Sequence, residues 1–452
     1  MRQKLLGALF ITCLLTSPML AQHPYDAIKQ DLRKAGCVFN LYDFSTPKNA
    51  KAPKGYEPFY ISHYGRHGSR LTSSNSNFDK MMSMLEKAHK EGTLTEKGED
   101  FYKKYVPLYP LLRLRAGDLT TRGQKEHHQL AHRMYENYPE VFKEGIKADA
   151  ISSNSIRSIM SMYAFLEGLR ECMPQIKTAS VASLAKMNPA NPFTTNNPEV
   201  KSTDAGFSNP YSAWNKQIKD FQKKKFHPQA FLKTIFKNEE AYLKYDSPID
   251  VEVMFYEICC CSQTLENQQP LWDTFDIDEL CNIWEWNNLK YYLSKGPAGH
   301  SGGRQWAFGW ITMQDILDKA DKAIKSEQPI IDLRFGHDIT IQALMTLLDI
   351  EGWNKAVCDD SVKYVYKVYN VPMASNMQFV FYKNKENDIL VRLMLNEKDQ
   401  YLPLQSDIAP YYKWEDFKEY AEKRINVARN ILKTTKAPEK KKEKKEKGSS
   451  LG

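Results

Sequence analysis

A glycine-rich loop follows directly after a buried-strand pattern near residue 60, and this succession constrains the fold more than any other stretch. The strand pattern is the β-branched and aromatic run at residues 59–64, and the loop is Gly65-Arg66-His67-Gly68-Ser69-Arg70. In open α/β sheets, polar loops at the carboxyl ends of strands form the ligand site. The stretch therefore predicts a site at one edge of such a sheet.

One histidine stands between two arginines in this loop. Guanidinium groups bind phosphate oxygens in a planar, bidentate manner, and an imidazole held beside them can add to phosphorus. Arg66 and Arg70 are therefore candidates for phosphate binding and His67 for the nucleophile of a phosphoryl-transfer enzyme. A solvated basic turn is the alternative, so other parts of the chain must supply partners.

Two later strand-to-helix units supply such partners. Residues 146–153 favour a strand, and Arg157 follows in the first turn of a helix, where free amides and the helix dipole favour an anion. A surface arginine is the alternative for Arg157 taken alone. Residues 329–335 favour another strand, which ends in Gly336-His337-Asp338. Because carboxyl ends of parallel strands lie together, we expect the three loops to converge.

The chain between these units is expected to form a mainly helical insertion. Residues 174–210 are polar and favour a loop, whereas residues 213–293 follow a helical pattern. Residues 296–304 are glycine-rich and indicate a return loop, with a phosphate cradle as the alternative. The predicted parts are a discontinuous α/β core (22–170 and 305–435), a helical cap (171–304) and a disordered Lys/Glu-rich tail (436–452).

Two phrases share the pattern L-T-x-x-G, at residues 94–98 and 119–123, and each places a Thr where it can cap a helix. The second predicted helix, 121–137, carries His128 and His132, which are four residues apart and could share a face. No third ligand stands at a supporting spacing, so we expect no metal site.

A hairpin at the sheet edge (378–382 and 389–395) and a last helix (414–432) complete the predicted core.

The first 21 residues predict a secretory signal. Arg2 and Lys4 precede the apolar run 5–15, and cleavage is expected near Ala21. A lipoprotein-type signal at Cys13 is the alternative. The apolar run is short for a transmembrane helix, so the sequence predicts a periplasmic or secreted protein without a membrane span.

The formal net charge of +8 is concentrated at the two ends of the chain. The signal carries two of these charges, and the tail holds seven lysines against three glutamates, so the body has about +2. This argues against a nucleic-acid partner and favours a small anionic substrate bound in a locally basic pocket. The oligomeric state stays open.

Seven cysteines remain after Cys13. The odd number leaves at least one thiol outside any intramolecular disulfide. The run Cys259-Cys260-Cys261 lacks a metal-binding spacing and is interpreted as small buried apolar residues.

The sequence resembles the histidine acid phosphatases (histidine phosphatase superfamily, branch 2), in the group that contains multiple inositol polyphosphate phosphatases and related phytases. The resemblance runs from about Gly55 to the C-terminal helix. Its motifs are the R-H-G-x-R loop, the L-T-x-x-G phrases, Arg157, the segment 278–292 with Leu289-Lys290-Tyr291-Tyr292, and His337.

The resemblance implies a phosphoglycerate-mutase-like α/β core under a helical cap, with hydrolysis of phosphomonoesters that needs no metal or other cofactor. His67 would be the nucleophile and Asp338 the proton donor, which implies an acidic optimum. Arg66, Arg70, Arg157 and His337 would bind the phosphoryl oxygens. Candidates for further substrate contacts from the cap are Lys290, Arg304 and Lys223-Lys224-Lys225.

Two departures bear on the substrate. Many relatives have proline where this chain has Thr72, and the inositol polyphosphate group reads H-A-E where this chain has His337-Asp338-Ile339. We therefore expect a phosphatase for inositol polyphosphates or other small organic phosphates. A broad acid phosphatase, a phosphomutase and an inactive phosphate-ester-binding protein are the alternatives.

Overall fold

The computed structural model describes residues 23–45, 52–194, 197, 200, 213–298, 304–326 and 328–434. The predicted signal, the predicted tail and residues 299–303 of the glycine-rich segment lie outside these residues. The strands are β1 Glu57–Arg66, β2 Lys147–Ser152, β3 Lys177–Val181, β4 Ile330–Gly336, β5 Asn376–Lys383, β6 Ile389–Leu395, β7 Lys398–Asp399 and β8 Tyr411–Lys413.

Among the described residues, these strands form one mixed sheet in the order β3-β2-β4-β1-β5-β6-β7, with β8 paired to β6. The strands β1 to β4 run parallel, and β5 joins β1 antiparallel. Arg66 pairs with Gly336, and Ser152 pairs with Phe335. Three parallel strands therefore end at one level, as the sequence predicted, and the loops that follow them meet there.

Helices cover both faces of the sheet and make up most of the predicted cap. They are α1 Pro24–Gln30, α2 Asn75–Lys90, α3 Glu96–Leu112, α4 Thr121–Asn137, α5 Ile156–Cys172, α6 Ala213–Lys225, α7 Pro228–Ile235, α8 Glu240–Leu243, α9 Pro248–Thr264, α10 Ile277–Lys295, α11 Arg304–Ala307, α12 Gly309–Lys325, α13 Asp338–Leu347, α14 Val362–Val365 and α15 Trp414–Thr434. Short 3-10 turns lie at Leu32–Phe39, Trp272–Thr274, Asp359–Ser361 and Val368–Asn370.

Alternation along β1 distributes its side chains between two apolar cores. Ile61 lies in a core with Phe165 of α5, whereas its neighbour Tyr60 lies in a core with Met313 of α12 and Phe417 of α15. This period-two pattern is the ordinary consequence of strand geometry. The resulting helix–sheet–helix layers confirm the predicted α/β fold.

The prediction of a loop throughout residues 174–210 was wrong at β3. This strand adds a parallel edge to the sheet beside β2, although it falls within the range assigned to the cap. Its residues are mostly exposed or half-buried, because an edge strand at the rim contributes little to the core. The division into core and cap otherwise remains a prediction.

Helices α6 to α10 lie in the range that the sequence predicted as the cap. On α9, Cys259, Cys260 and Cys261 are all buried, in keeping with their interpretation as core residues. The seven cysteines of the described chain are free thiols. Among the helices described, none has both the length and the apolar character needed to cross a bilayer.

Candidate active site

The loop that follows β1, residues 67–70, is held in place by contacts with the start of α4. The carbonyl of Ser69 accepts from the backbone amide of Thr120 at 2.8 Å and from its hydroxyl at 3.0 Å. A Cβ on Gly68 would lie 2.3 Å from the carbonyl oxygen of Gly123, and one on Gly123 would lie 2.3 Å from that of Ser69. Both glycines are therefore required by close backbone approach. The second L-T-x-x-G phrase thus supports the loop.

His67 is buried, and its ring is held in one tautomer. Nδ1 lies 2.9 Å from the carbonyl oxygen of Gly68. A carbonyl only accepts, so Nδ1 carries the hydrogen and the lone pair of Nε2 remains for attack. Burial, together with Arg66, Arg157 and Arg70, holds the pKa of His67 well below its usual value. The imidazole is therefore neutral, and so nucleophilic, even in acidic solution.

Arg66 is fully buried, and its guanidinium nitrogens differ in their contacts. Its Nη1 donates to the carbonyls of Val38 and Val371 at 2.5 and 3.0 Å. Its Nε and Nη2 find no hydrogen-bond acceptor among the described residues. Buried donors without a partner are costly in free energy, so these two nitrogens are suited to bind phosphoryl oxygens.

Arg70 and Arg157 add two more guanidinium groups. The Arg70 guanidinium lies 4.8 Å from the ring centre of Phe39, and Arg157 is the second residue of α5, as predicted for the first turn. The Nε of each is buried without an acceptor in the described chain. Burial and the neighbouring Arg70 and Arg66 lower the pKa of Arg157 to about 10, although Asp338 opposes this. The cations thus crowd one place, which favours an anion there.

His337 and Asp338 enter from the end of β4. The His337 ring centre lies 5.6 Å from that of His67, and its Nε2 lies 3.1 Å from the hydroxyl of Ser153. Burial, followed by the charge of Arg157, lowers the pKa of His337 to about 3. Asp338 begins α13 and is mostly buried. Its Oδ2 accepts from Gln342 at 3.3 Å.

Sequence reasoning missed several residues that hold this arrangement. The amide of Gly68 donates to the hydroxyl of Ser161 at 3.0 Å, and the amide of His337 donates to the hydroxyl of Tyr64 at 3.1 Å. Glu126, in the middle of α4, contacts Ser69 twice. A Glu three residues after L-T-x-x-G was the available signal, but its partner lies 57 residues away in the chain.

Thr72 follows the loop and contacts a helix that lies far from it in the sequence. Its amide lies 3.3 Å from the Sγ of Cys261 on α9. A proline has no amide hydrogen and could not make this contact. Residue 72 therefore connects the loop after β1 to α9.

The candidate cap contacts have different neighbours. Lys290 and Tyr291 lie on α10, and the electrostatic neighbours of Tyr291 include Asp338, Arg66 and Arg70. Lys290 packs over the ring of Trp286 at 5.5 Å, and burial lowers its pKa.

Arg304 and Lys225 serve other contacts. Arg304 is buried and donates to the carbonyl of Leu432 at 2.7 Å, so it holds the end of α15. The Nζ of Lys225 lies 3.5 Å from a carboxylate oxygen of buried Glu285. The structure thus brings α10 to the site but directs these two cations elsewhere.

The two spaced histidines of α4 pair with carboxylates of α5. Nε2 of His128 lies 3.0 Å from Glu167, and Nε2 of His132 lies 2.7 Å from Glu171. No group of three or more potential metal ligands occurs in the part of the chain that the structure describes.

Comparisons with known proteins agree with this geometry. A family model described as "Histidine phosphatase superfamily (branch 2)" matches residues 65–396. Multiple inositol polyphosphate phosphatase 1 of Gallus gallus is 23% identical over 328 residues, which are 65% of this chain and 68% of that protein.

Two solved structures show the same fold. Multiple inositol polyphosphate phosphatase of Bifidobacterium longum, in complex with inositol hexasulfate, has a TM-score of 0.67 at 17% identity and covers 86% of this chain and 97% of its own. The phytase from D. castellii has a TM-score of 0.65 at 16% identity and covers 90% of this chain and 88% of its own. The family match spans well over half of the chain and includes the loop at residues 65–70 and the pair His337-Asp338. The protein therefore belongs to branch 2 of the histidine phosphatase superfamily and is a phosphoric monoester hydrolase.

Proposed function

We propose that the protein is an exported phosphomonoesterase that acts through a phosphohistidine on Nε2 of His67, with inositol polyphosphates as its substrates. The observation that carries the mechanism is the hydrogen bond from Nδ1 of His67 to Gly68, which leaves Nε2 as the attacking atom beside three guanidinium groups. Because the pKa of His67 lies well below its usual value, the imidazole is neutral and able to attack the bound phosphoryl group in acidic solution.

The reaction proceeds in two steps. Nε2 of His67 bonds to phosphorus while the bond to the ester oxygen breaks, and Asp338 gives its proton to the leaving alkoxide. Asp338, now a carboxylate, takes a proton from water, whose oxygen bonds to phosphorus as the bond to His67 breaks. Inorganic phosphate leaves, and both residues return to their starting forms.

Charge stabilisation comes from the side chains that surround the phosphoryl group. Arg66, Arg70 and Arg157 supply positive charge to the equatorial oxygens, where the transition state of phosphoryl transfer accumulates negative charge. His337 supports them through a ring nitrogen. Because these groups carry the electrostatic part of catalysis, the proposed reaction uses no metal ion.

Support for inositol polyphosphates comes from the named relatives and from α10. The relatives include a multiple inositol polyphosphate phosphatase crystallised with inositol hexasulfate and a phytase. Tyr291 of α10 has Asp338, Arg66 and Arg70 among its electrostatic neighbours, so this helix is suited to meet further phosphates of a ring substrate. Lys290 precedes it on α10 and has Glu257 and Cys37 as its own neighbours. Broad acid phosphatase activity is the second candidate, because Asp338 follows His337 directly, as in acid phosphatases with an H-D motif.

Release of inorganic phosphate from phytate, glucose 6-phosphate and an aryl phosphate at acidic pH tests the proposal. We expect the highest kcat/KM for phytate, and we expect His67→Ala to be inactive on all three. Equal kcat/KM values across the panel would replace the inositol polyphosphate proposal with the broad phosphatase. Transfer of the phosphoryl group to a second substrate without release of phosphate would indicate a phosphomutase.

A further inference from the structure

Glu126 lies beneath the nucleophile loop and binds it at two points. One carboxylate oxygen accepts from the backbone amide of Ser69 at 2.7 Å, and the other accepts from the Ser69 hydroxyl at 2.7 Å. Glu126 is 5% exposed and Ser69 is 0% exposed. A carboxyl group held in this way fixes Ser69, directly before Arg70 in the loop, without touching a substrate.

The same carboxyl group carries charge behind the arginines. The charged groups that act on Glu126 are Arg122, one turn earlier on α4, and Arg66 at the end of β1, while the loop faces it with the neutral donors of Ser69. Glu126 in turn contributes to the electrostatic environment of Arg66. Ionised Glu126 therefore offsets part of the positive charge that receives the phosphoryl group.

Both contacts with Ser69 can survive protonation of Glu126. The carboxylate accepts from the amide and from the hydroxyl. The protonated acid still accepts from the amide through its carbonyl oxygen, and its O–H donates to the Ser69 oxygen, which can accept as well as donate. Glu126 can therefore gain or lose a proton while the loop stays in place.

We propose that Glu126 is a positioning residue that holds the nucleophile loop through Ser69 and sets the phosphate affinity of the site through its own charge. This inference rests on the proposed function, since it concerns the same phosphoryl-binding groups. Burial raises the pKa of Glu126 to about 7, although Ser69 and the two arginines oppose the rise. Glu126 is then neutral at acidic pH, where it offsets none of the positive charge of the arginines, and ionised above neutrality.

The test measures the dissociation constant of inorganic sulfate by titration calorimetry between pH 5.5 and 8.5. Sulfate remains a dianion throughout, unlike phosphate. Glu126→Gln keeps both contacts with Ser69, because its carbonyl accepts and its amide donates, but it cannot ionise. We expect wild type and variant to have equal dissociation constants for sulfate at pH 5.5. At pH 8.5 the constant of the variant should be lower than that of wild type by a factor of about five or more.

Two further variants complete the experiment. Glu86→Gln removes an exposed carboxylate that pairs with Lys90 and should follow wild type at every pH. Arg122→Gln removes a charge that lowers the pKa of Glu126, so Glu126 should ionise, and sulfate affinity should begin to fall, at higher pH than in wild type. It also tests the inference if Glu126→Gln does not fold.

The outcomes separate this inference from the proposed function. A ratio of the Glu126→Gln and wild-type dissociation constants that does not change with pH would overturn the charge role, as would an Arg122→Gln profile identical to wild type. Either result with normal phytate hydrolysis leaves the proposed function intact. An enzyme that binds sulfate as expected but hydrolyses no phosphomonoester would contradict the proposed function alone.

Discussion

Arg66 and Asp338 face each other in the site, with the guanidinium Nε 3.6 Å from a carboxylate oxygen of Asp338. Arg66 is fully buried, and the Asp338 side chain is 12% exposed. In the proposed mechanism, a phosphoryl group bound by this guanidinium would lie beside the group that protonates its leaving oxygen. The pair would then connect phosphate binding to proton transfer, although the two residues lie at the ends of different strands.

Replacing the proposed acid should affect poor leaving groups most. Asp338→Asn cannot protonate an alkoxide, so we expect kcat/KM for phytate or glucose 6-phosphate to fall by about 10²- to 10⁴-fold. An aryl phosphate, whose phenolate leaves without protonation, should show a much smaller loss in the rate of the first step. Rapid-mixing measurements of phenolate release provide the comparison. Equal losses for alkyl and aryl esters would contradict the assignment of Asp338.

Arg157 should contribute directional hydrogen bonds as well as charge. Arg157→Lys retains the charge but loses the planar fork, and we expect kcat/KM to fall roughly ten- to a hundredfold, from the loss of one charged hydrogen bond. Arg170→Lys, on the same helix but at its exposed end, is the matched control. Steady-state kinetics at one acidic pH are sufficient, and an unaffected Arg157→Lys would remove this residue from the site.

A pair of buried histidines should limit stability in acid. Burial is the main cause that lowers the pKa values of His63 and His127 to about 3. The unfolded chain then binds more protons below the usual histidine value, so stability is complete above about pH 6.5 and is lost as pH falls toward 3. Between pH 7 and pH 4, the free energy of unfolding should fall by about 3 kcal/mol less in His127→Leu than in wild type.

Urea unfolding at the two pH values measures this difference. Leu130→Ala, a buried residue without a titrating group on the same helix, should be less stable than wild type by the same amount at both pH values. If His127→Leu loses as much stability on acidification as wild type, the acid sensitivity arises elsewhere.

Much of the fold could be predicted because the core strands carry their own signal. The apolar runs of β1, β2 and β4 each lead into a polar loop, which was enough to predict that His67, Arg157 and Asp338 meet. The edge strand β3 could not be found in this way, because its residues Lys177–Val181 are largely exposed and carry no apolar pattern.

The support of the site could not be predicted, because it depends on tertiary contacts. The two L-T-x-x-G phrases are alike in sequence, yet Gly123 packs on the nucleophile loop, whereas a Cβ on Gly98 would lie 2.2 Å from the carbonyl of Ile235 in the cap. Arg304 and Arg157 are likewise both arginines at helix starts, but only Arg157 faces the loop. Local sequence determines where a helix begins, but it does not determine which part of the chain that helix packs against.

A metal chelator should leave the activity unchanged. The proposed transition state is stabilised by Arg66, Arg70 and Arg157, which remain charged throughout the working pH range. Initial rates with phytate are complicated because phytate itself binds metals, so glucose 6-phosphate is the better substrate for this measurement. A loss of activity on incubation with EDTA that added metal restores would contradict the metal-independent mechanism.

Trapping the phosphoenzyme tests the central claim most directly. In Asp338→Asn, an aryl phosphate should still phosphorylate His67, while hydrolysis of the intermediate lacks its base, so the intermediate should accumulate. After an alkaline quench, which preserves phosphohistidine, mass spectrometry of the peptide around residues 65–70 should show one phosphoryl group on His67 and none in the double variant with His67→Ala. A phosphoryl group on another residue, or turnover by His67→Ala, would contradict the account.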